Sequence, residues 1–310
     1  MNITFEEACR NYLNYVKLKD KQTSYRNISN RVNNYILPYF SDKTIDQLKT
    51  IDYLNWQMNI EELNFKYRYK KTLHYCFVTF LNYCINFYDL KENVAVKVGN
   101  FKNEETEDSG SVWTLEEFNK FIKVVDDPIY NTLFELLFYT GVRMGEALAL
   151  TFNDFDSENG IIFINKTITR FFKNGDRVIT TPKTKKSIRR ISIDNCMKNK
   201  ILELRDYYNK NYSNFNHEFR IFGGDRVIAP TTLARKKNKY CELADVKIIK
   251  IHEFRHSHAC LLFQNGVPID EISYRLGHST ISMTMDVYLR FIPKNEKRVL
   301  ETLNSIRLLS

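Results

Sequence analysis

A short stretch near the end of the chain holds histidine, arginine and tyrosine in a spacing suited to chemistry on a phosphodiester. His252 and Arg255 stand three residues apart, His278 follows a glycine, and Tyr288 comes ten residues after His278. Arginine and histidine can stabilise the charge that develops on a phosphate and can carry protons, and a tyrosine oxygen can form a covalent ester with phosphorus. The stretch therefore indicates phosphoryl-transfer chemistry on a nucleic acid.

The local spacing predicts how this stretch is held. If the segment is helical, its first histidine and its arginine project from one face. His256 could join them, but we expect it to pack or hydrogen-bond nearby. The residues from Gly277 to Thr280 are typical of a turn that leads into a helix, with Ser279 or Thr280 as the N-cap. Unpaired N–H groups at such a helix start attract phosphate.

The sequence indicates neither a metal nor a cofactor. His252, His256 and His258 have a ligand-like spacing, but no nearby cysteine or carboxylate set completes a tetrahedral site. Neither a Walker phosphate loop nor a G-x-G-x-x-G fingerprint occurs. We expect catalysis without a metal or a cofactor.

Composition is that of a globular protein with a basic surface. The 310 residues are enough for two domains, and 43% of them are hydrophobic. The net charge of +9 fits either a solvated basic surface or a polyanionic partner. The six cysteines form no C-x-x-C pair, and no signal peptide or membrane span is evident. We expect a cytoplasmic, nucleoid-associated protein without membrane contact.

Helical patterns fill residues 1–101. A capping box of Thr4 and Glu7 predicts the first helix, and the fourth predicted helix is apolar nearly all round and so central to a bundle. The later helices are predicted from Gln22 to near Pro38, from about Ile51 to Leu63, and over Tyr69 to Tyr88.

Basic side chains in this region sit among tyrosine and asparagine. They fit a solvated helical face, but in a basic protein we favour contact with the DNA backbone, because such side chains suit phosphate oxygens. The candidates are Lys21, Arg26, Arg31, Lys66, Arg68, Lys70 and Lys71.

Residues 102–111 are polar and acidic and predict a linker, so that residues 112–310 form a second domain. A hinge here would let two basic lobes close around a duplex. In the second domain a capping box of Thr114 and Glu117 starts a helix, and Gly141 ends a buried one that begins at Pro128. Period-two patterns predict short antiparallel strands at 161–164, 167–172, 178–180 and 188–193, with a hairpin turn at 174–175, and helices follow from 194. The expected fold class is an α-helical domain plus a mixed α/β, mainly helical, domain with a small antiparallel sheet.

Six elements, in order, resemble those of the tyrosine recombinase (phage integrase) family. They are Arg143 within Thr140–Glu146, Lys183-Thr184, His252, Arg255, Gly277-His278 and Tyr288. The resemblance covers the catalytic half, and more loosely the helical half, which is similar to the family's SAM-like core-binding domain. The segments 252–259 and 283–288 look most like integrases of phages and integrative elements of low-GC Gram-positive bacteria.

The resemblance implies roles for the cationic residues. Arg143 and Arg255 would grip the non-bridging oxygens of the scissile phosphate, since the guanidinium fork is bidentate and always charged. Lys183 would be the general acid for the leaving 5′-oxygen, although the neighbouring Lys185 or Lys186 could take its place.

It also implies roles for the remaining residues. Tyr288 would be the nucleophile. His252 would donate a hydrogen bond to the phosphate or accept the tyrosine proton, and His278 would donate a further hydrogen bond. Glu146 would orient its neighbours rather than react.

The implied activity is site-specific recombination through a covalent 3′-phosphotyrosyl intermediate, for integration or excision of a mobile element. The partners would be double-stranded DNA with specific core sites, a homotetramer formed through the C-terminal tail, and possible accessory bending or directionality proteins. The tail, with Val299, Leu303 and Ile306 at helical spacing, could instead fold back on its own core. Family members often carry an extra N-terminal arm-binding domain, and this chain starts at the core-binding unit.

Alternatives stay open at this point. An Xer-type resolvase of chromosome or plasmid dimers would use the same residues. A type IB topoisomerase uses a similar set to relax DNA. A non-catalytic DNA-binding regulator on the same scaffold would lack a catalytic residue, whereas the set is complete here, and cleavage by a metal-dependent nuclease would be abolished by a chelator.

Overall fold

A computed structural model of the chain describes residues 3–103, 111–173, 176–182, 185–291, 300, 303–304 and 306–307, and of residues 170–173, 176, 177, 185 and 288 it describes the backbone alone. The chain divides into two compact units, residues 1–108 and 109–310. Most of the expected linker, the expected hairpin turn Asn174-Gly175 and the candidate general acid Lys183 lie outside the described residues.

The secondary structure of the first unit, within its described residues, is almost entirely helical. Its helices are α1 (Phe5–Lys19), α2 (Gln22–Arg31), α3 (Leu37–Phe40), α4 (Thr50–Glu62), α5 (Tyr67–Tyr88) and α6 (Val94–Val98). The start of α1 follows from the sequence, because the Thr4 hydroxyl accepts a hydrogen bond of 3.1 Å from the Glu7 backbone N–H.

Two details of this unit differ from the prediction. The second helix continues through a π-helical turn, Val32–Ile36, into α3 and so passes Pro38. Pro38 stands in the first turn of α3, directly after the π-helical turn, and the start of an α-helix is the position where proline is best tolerated. Helix α5 buries one face rather than its whole circumference, since Tyr75 and Phe87 on the other face are exposed.

The second unit is mainly helical, and every strand of the described residues lies in it. Its helices are α7 (Leu115–Lys123), α8 (Pro128–Thr140), α9 (Met144–Ala147), α10 (Asn195–Asn211), α11 (Pro230–Leu243), α12 (Glu253–Gln264), α13 (Ile269–Leu276) and α14 (Ser282–Phe291). Its strands are β1 (Phe155–Asp156), β2 (Ile161–Ile164), β3 (Thr167–Lys173), β4 (Asp176–Thr180) and β5 (Arg189–Ser192).

The strands form two separate antiparallel sheets. Strand β2 lies between β1 and β5, with Ile162 opposite Ile191, while β3 and β4 pair with each other in a second, two-stranded sheet. The expected fold class, a helical domain plus a mainly helical α/β domain with small antiparallel sheets, is confirmed.

Helices α8 and α12 are fixed in the core of this unit. The rings of Phe134 on α8 and Phe254 on α12 stack with centroids 5.8 Å apart. Trp113 anchors the start of the unit to α12, because its backbone N–H donates to the Ser257 hydroxyl at 2.9 Å. The loops that leave these helices therefore start from rigid points. Among the described helices, none is long and apolar enough to cross a membrane.

Candidate active site

Arg255 joins two loops that carry other candidate residues. It lies in the first turn of α12 and is 2% exposed. Its Nη1 donates to the carbonyl oxygen of Gly141 at 2.8 Å, and its Nη2 donates to that of Leu276 at 2.7 Å. Gly141 stands two residues before Arg143, and Leu276 two residues before His278. One guanidinium group thus sets the positions of both loops.

Both loops depend on glycine. Gly141 caps α8 with a φ of +65°, and a Cβ there would meet Leu276 Cδ2 at 2.5 Å. Gly277 caps α13 with a φ of +68°, and a Cβ there would stand 3.0 Å from Arg189 Cδ. Because side chains at these positions would be strained and would collide, only glycine lets the segments approach this closely.

Glu146 links two arginines at the first loop. The buried carboxylate accepts a hydrogen bond from Arg143 Nη1 at 2.8 Å and from Arg189 Nη2 at 3.0 Å. It also accepts from the Arg143 backbone N–H at 3.0 Å. Burial by itself would raise the pKa of Glu146, but the charge and hydrogen bond of Arg189, and then those of Arg143, outweigh burial and lower the pKa.

Arg189 is a site residue that was not predicted from the sequence. It stands at the start of β5 with its side chain 2% exposed. The sequence did contain a signal. Arg189 is two residues before Ile191 in the predicted strand, and side chains two residues apart face the same side of a strand, so Arg189 faces the core together with Ile191. A buried arginine in an apolar strand needs a charged partner, which Glu146 supplies.

The ring of His278 is held by a threonine from α14. Its Nδ1 lies 2.7 Å from the hydroxyl oxygen of Thr284, which is buried. Burial, followed by the positive charges of Arg255 and Arg143, lowers the pKa of His278 to about 3. The ring is therefore neutral near pH 7.

His252 caps α12 and remains exposed. Its pKa is lowered, first by partial removal from water and then by the charges of Arg255 and Arg143. His256 packs edge-on against it, with ring centroids 4.8 Å apart, and contacts the Phe291 ring on its other side. His256 thus packs beside the site, as the sequence predicted.

These contacts bring four candidates into one electrostatic neighbourhood. The charges of Arg143 and Arg255 both act on His252 and on His278. Arg189 acts on Arg255 as well, and Glu146 is the carboxylate that opposes this set of arginines. Three guanidinium groups around one carboxylate leave an excess of positive charge, which suits an anion such as phosphate.

Lys183 and the Tyr288 side chain lie outside what the structure describes. The backbone of Tyr288 belongs to α14, the helix that also carries Thr284. The neighbouring Lys186 is exposed, and its Nζ donates to the Ser279 carbonyl oxygen at 3.1 Å. The loop that follows Lys183 is therefore bonded to the loop that carries His278.

The expected N-cap of the helix that carries Tyr288 is wrong by one or two residues. Helix α14 begins at Ser282, beyond both Ser279 and Thr280. The Ser279 hydroxyl donates towards the Met283 sulfur at 3.4 Å. Among the described residues, no group of three or more His, Cys, Asp or Glu side chains could hold a metal ion.

The basic candidates of the first unit lie on α2 and α5 or at their starts. Lys21, Arg26, Lys66 and Arg68 are exposed, whereas Arg31, Lys70 and Lys71 are half-buried. Lys70 forms an ion pair with Glu61, and its Nζ lies 6.0 Å from the centre of the Phe101 ring. Its charge is neutralised within the unit, so Lys70 fits an internal role better than a DNA contact.

Comparison with known families identifies the class of protein. The profile of the phage integrase family matches residues 112–293, and that of the phage integrase N-terminal SAM-like domain matches residues 4–60. The chain belongs to the phage integrase family. It is a tyrosine recombinase, an enzyme that breaks and rejoins DNA, and DNA is its partner.

Individual relatives agree with this assignment. The chain is 28% identical to the ICEBs1 integrase of Bacillus subtilis over 313 residues, covering 98% of this chain and 84% of that protein. It is 30% identical over 259 residues to an XerC-like tyrosine recombinase of Caldanaerobacter subterraneus, covering 76% of this chain and 66% of that one. The predicted resemblance to integrases of mobile elements of low-GC Gram-positive bacteria is confirmed.

Solved structures share the fold. The Tn1549 transposon integrase in complex with transposon right end DNA superposes with a TM-score of 0.77 at 20% identity, covering 99% of this chain and 100% of that one. A lambda integrase (75-356) dimer bound to a COC' core site gives 0.68 at 14% identity, covering 95% and 98%. At these identities the likeness speaks for the fold alone.

Proposed function

We propose that this recombinase acts at specific DNA core sites, through a covalent 3′-phosphotyrosyl intermediate, to integrate or excise a mobile element. Tyr288 is the nucleophile, and Arg143 and Arg255 bind the non-bridging oxygens of the scissile phosphate. Lys183 protonates the leaving 5′-oxygen. The main support is the buried Arg255 guanidinium, which holds the loops of Arg143 and His278 through two carbonyl oxygens.

The charge balance of the site supports this chemistry. Attack of a phenolate on a phosphodiester monoanion produces a dianionic pentacoordinate state. Because Arg189 offsets the charge of Glu146, Arg143 and Arg255 supply an excess of positive charge that matches this state better than the ground state. Loss of one such donor typically costs about 3–4 kcal/mol of transition-state stabilisation.

The histidines supply hydrogen bonds and a proton acceptor. If Nδ1 of His278 accepts from the Thr284 hydroxyl, a neutral ring carries its proton on Nε2 and can donate it to a phosphate oxygen. His252, exposed and with a lowered pKa, is a neutral base available to the Tyr288 hydroxyl near pH 7. Glu146 orients Arg143.

The assembly is proposed to be a tetramer on two DNA sites, joined by the C-terminal tails. Of the tail residues named from the sequence, Leu303 and Ile306 are at least half exposed within one chain, as is Leu300, whereas Val299 lies outside the described residues. Apolar side chains at helical spacing favour cover by another surface, such as a neighbouring protomer.

Exposed basic residues of the first unit, including Arg26 and Arg68, would contact the DNA backbone. Accessory bending or directionality proteins are further expected partners, in the cytoplasm on the nucleoid.

A nicked suicide substrate tests the proposal. The substrate is built from the junction sequences found by mapping the ends of the element that encodes the chain. Wild type should form a covalent protein–DNA adduct that resists denaturation, and Tyr288→Phe should bind the DNA without forming it. An adduct that persists in Tyr288→Phe would refute the assignment of the nucleophile.

An Xer-type resolvase is the second candidate, because of the XerC-like relative. The two functions separate on plasmids. A mobile-element integrase recombines an element end with a target site, whereas a resolvase recombines two identical sites on one plasmid dimer. Recombination confined to identical sites would favour the resolvase.

A further inference from the structure

We propose that Arg189 is a positioning residue that braces three segments of the active site through its guanidinium group. The inference rests on the proposed function, and it concerns a residue outside the set that acts on the phosphate. Arg189 stands on the core-facing side of β5, and its side chain is 2% exposed.

Each nitrogen of the guanidinium group donates to a different segment. Nη2 donates to Glu146 Oε2 at 3.0 Å, and Glu146 in turn accepts from Arg143. Nη1 donates to the Ser187 carbonyl oxygen at 3.0 Å, in the segment that follows Lys183. Nε donates to the Arg275 carbonyl oxygen at 2.8 Å, two residues before Gly277.

The same side chain also packs against the histidine loop. A Cβ on Gly277 would stand 3.0 Å from Arg189 Cδ and 3.2 Å from its Nη1, so the loop lies directly on the guanidinium group. His278 is the next residue. Arg189 is thus bonded to the segment just before His278, to the segment that follows Lys183, and to Glu146, the carboxylate that holds Arg143.

This geometry excludes direct contact with DNA as its role. The side chain is buried, and its three nitrogens already donate to protein oxygens. Its effect must therefore pass through the residues it holds. A planar fork with donors in three directions can span such partners, whereas the single ammonium group of lysine cannot.

The test compares two substitutions with a matched control on the same strand. Arg190 is exposed and lies over the Phe163 ring, on the opposite face of β5. We expect Arg189→Gln to slow adduct formation on the suicide substrate by about 10–100-fold, as loss of an outer-shell partner does in metal sites. The DNA dissociation constant should change by less than about threefold, because Arg189 does not touch DNA. Arg190→Gln should leave the cleavage rate unchanged.

Arg189→Lys keeps the buried charge, so it is expected to fold if the glutamine variant does not. It should cleave at a rate between those of wild type and Arg189→Gln, because it can pair with Glu146 but not with all three segments. A wild-type rate in Arg189→Lys would show that the charge alone matters, and would overturn the bracing role.

A double-mutant cycle separates action through Glu146 from a general loss of stability. The combined variant Arg189→Gln/Glu146→Gln should lose less activity than the product of the two single losses, because both changes break one chain of contacts. Losses that multiply would overturn the inference. Since wild type must form the adduct in the same assay, failure of the proposed function would appear separately, as no adduct in any variant.

Discussion

Replacing Gly141 by alanine should destabilise the second unit by about 2–5 kcal/mol. The left-handed backbone at φ +65° costs an alanine about 1–2 kcal/mol. The new Cβ would lie 2.5 Å from Leu276 Cδ2 and 2.7 Å from His258 Cδ2, and such overpacking costs about 1–3 kcal/mol more.

Gly266→Ala is the matched control in the same unit. Gly266 has a φ of +81°, but a Cβ there meets nothing within 4 Å, so only the backbone cost of about 1–2 kcal/mol applies. The difference between the two variants isolates the steric effect at Gly141.

Urea unfolding followed by tryptophan fluorescence gives the required free energies. The chain has two tryptophans, Trp56 in the first unit and Trp113 in the second. In a Trp56→Phe background the signal reports on the second unit alone, because Trp113 packs against Phe121 and Phe254 there. Equal unfolding free energies for the two alanine variants would refute the close approach at Gly141.

The rate of adduct formation should fall more in Gly141→Ala than in Gly266→Ala, as the stability does. The Gly141 carbonyl oxygen accepts from Arg255 Nη1, so a shift of this loop displaces Arg255 together with Arg143. Gly141→Ala should slow adduct formation even where the unit stays folded, whereas Gly266→Ala should not. If both variants cleave at the wild-type rate, the coupling between the loop and the arginines is wrong.

Three further predictions concern pH, salt and metal. Burial, then the charge of Arg275, lowers the pKa of His258 to about 3. Below about pH 6.5, His258 therefore binds a proton in the unfolded chain but stays neutral in the folded chain. Stability present above that pH is lost on acidification at up to about 1.4 kcal/mol per pH unit. Other histidines whose pKa is lowered, such as His278, add to this slope. Urea unfolding between about pH 7.5 and pH 5 should therefore show the summed slope in the wild type, and His258→Gln should reduce it by the contribution of His258. A slope that His258→Gln leaves unchanged would contradict the prediction. DNA affinity should fall by ~10³-fold between 50 and 200 mM salt if several phosphates are neutralised, and a flat response in a mobility-shift titration would count against a DNA clamp. Adduct formation should persist in a chelator, because the attacking oxygen belongs to Tyr288 and arginines stabilise the charge; abolition by chelator would favour a metal-dependent nuclease.

Features with local causes were predictable from the sequence. The N-caps Thr4 and Thr114 start helices as predicted, because the hydroxyl and the N–H that donates to it are three residues apart. The reciprocal hydrogen bond that completes a capping box is formed at Thr114, by Glu117. Strand β2 has the predicted bounds. Successive side chains of a strand face opposite sides, so the burial of Ile162 and Ile164 follows from their spacing in the sequence.

Features that depend on neighbours in space were predicted less well. Helix α14 starts at Ser282, later than expected, and the Ser279 hydroxyl lies against the Met283 sulfur rather than capping the helix. Lys70, which was grouped with DNA-binding residues, is paired with Glu61 on another helix. Charge and spacing alone do not reveal which lysines have a partner within the fold.

The sequence by itself determined the chemistry available to this recombinase: which arginines, histidines and tyrosine occur, in which order, and on which kinds of element. Only the tertiary structure decided how they are held. Arg255 bonds to a carbonyl oxygen 114 residues away, and Arg189 bonds to a carboxylate 43 residues away. Backbone carbonyl oxygens are identical at every residue, so no side-chain pattern marks which of them a buried guanidinium group will find; packing of the core makes that choice.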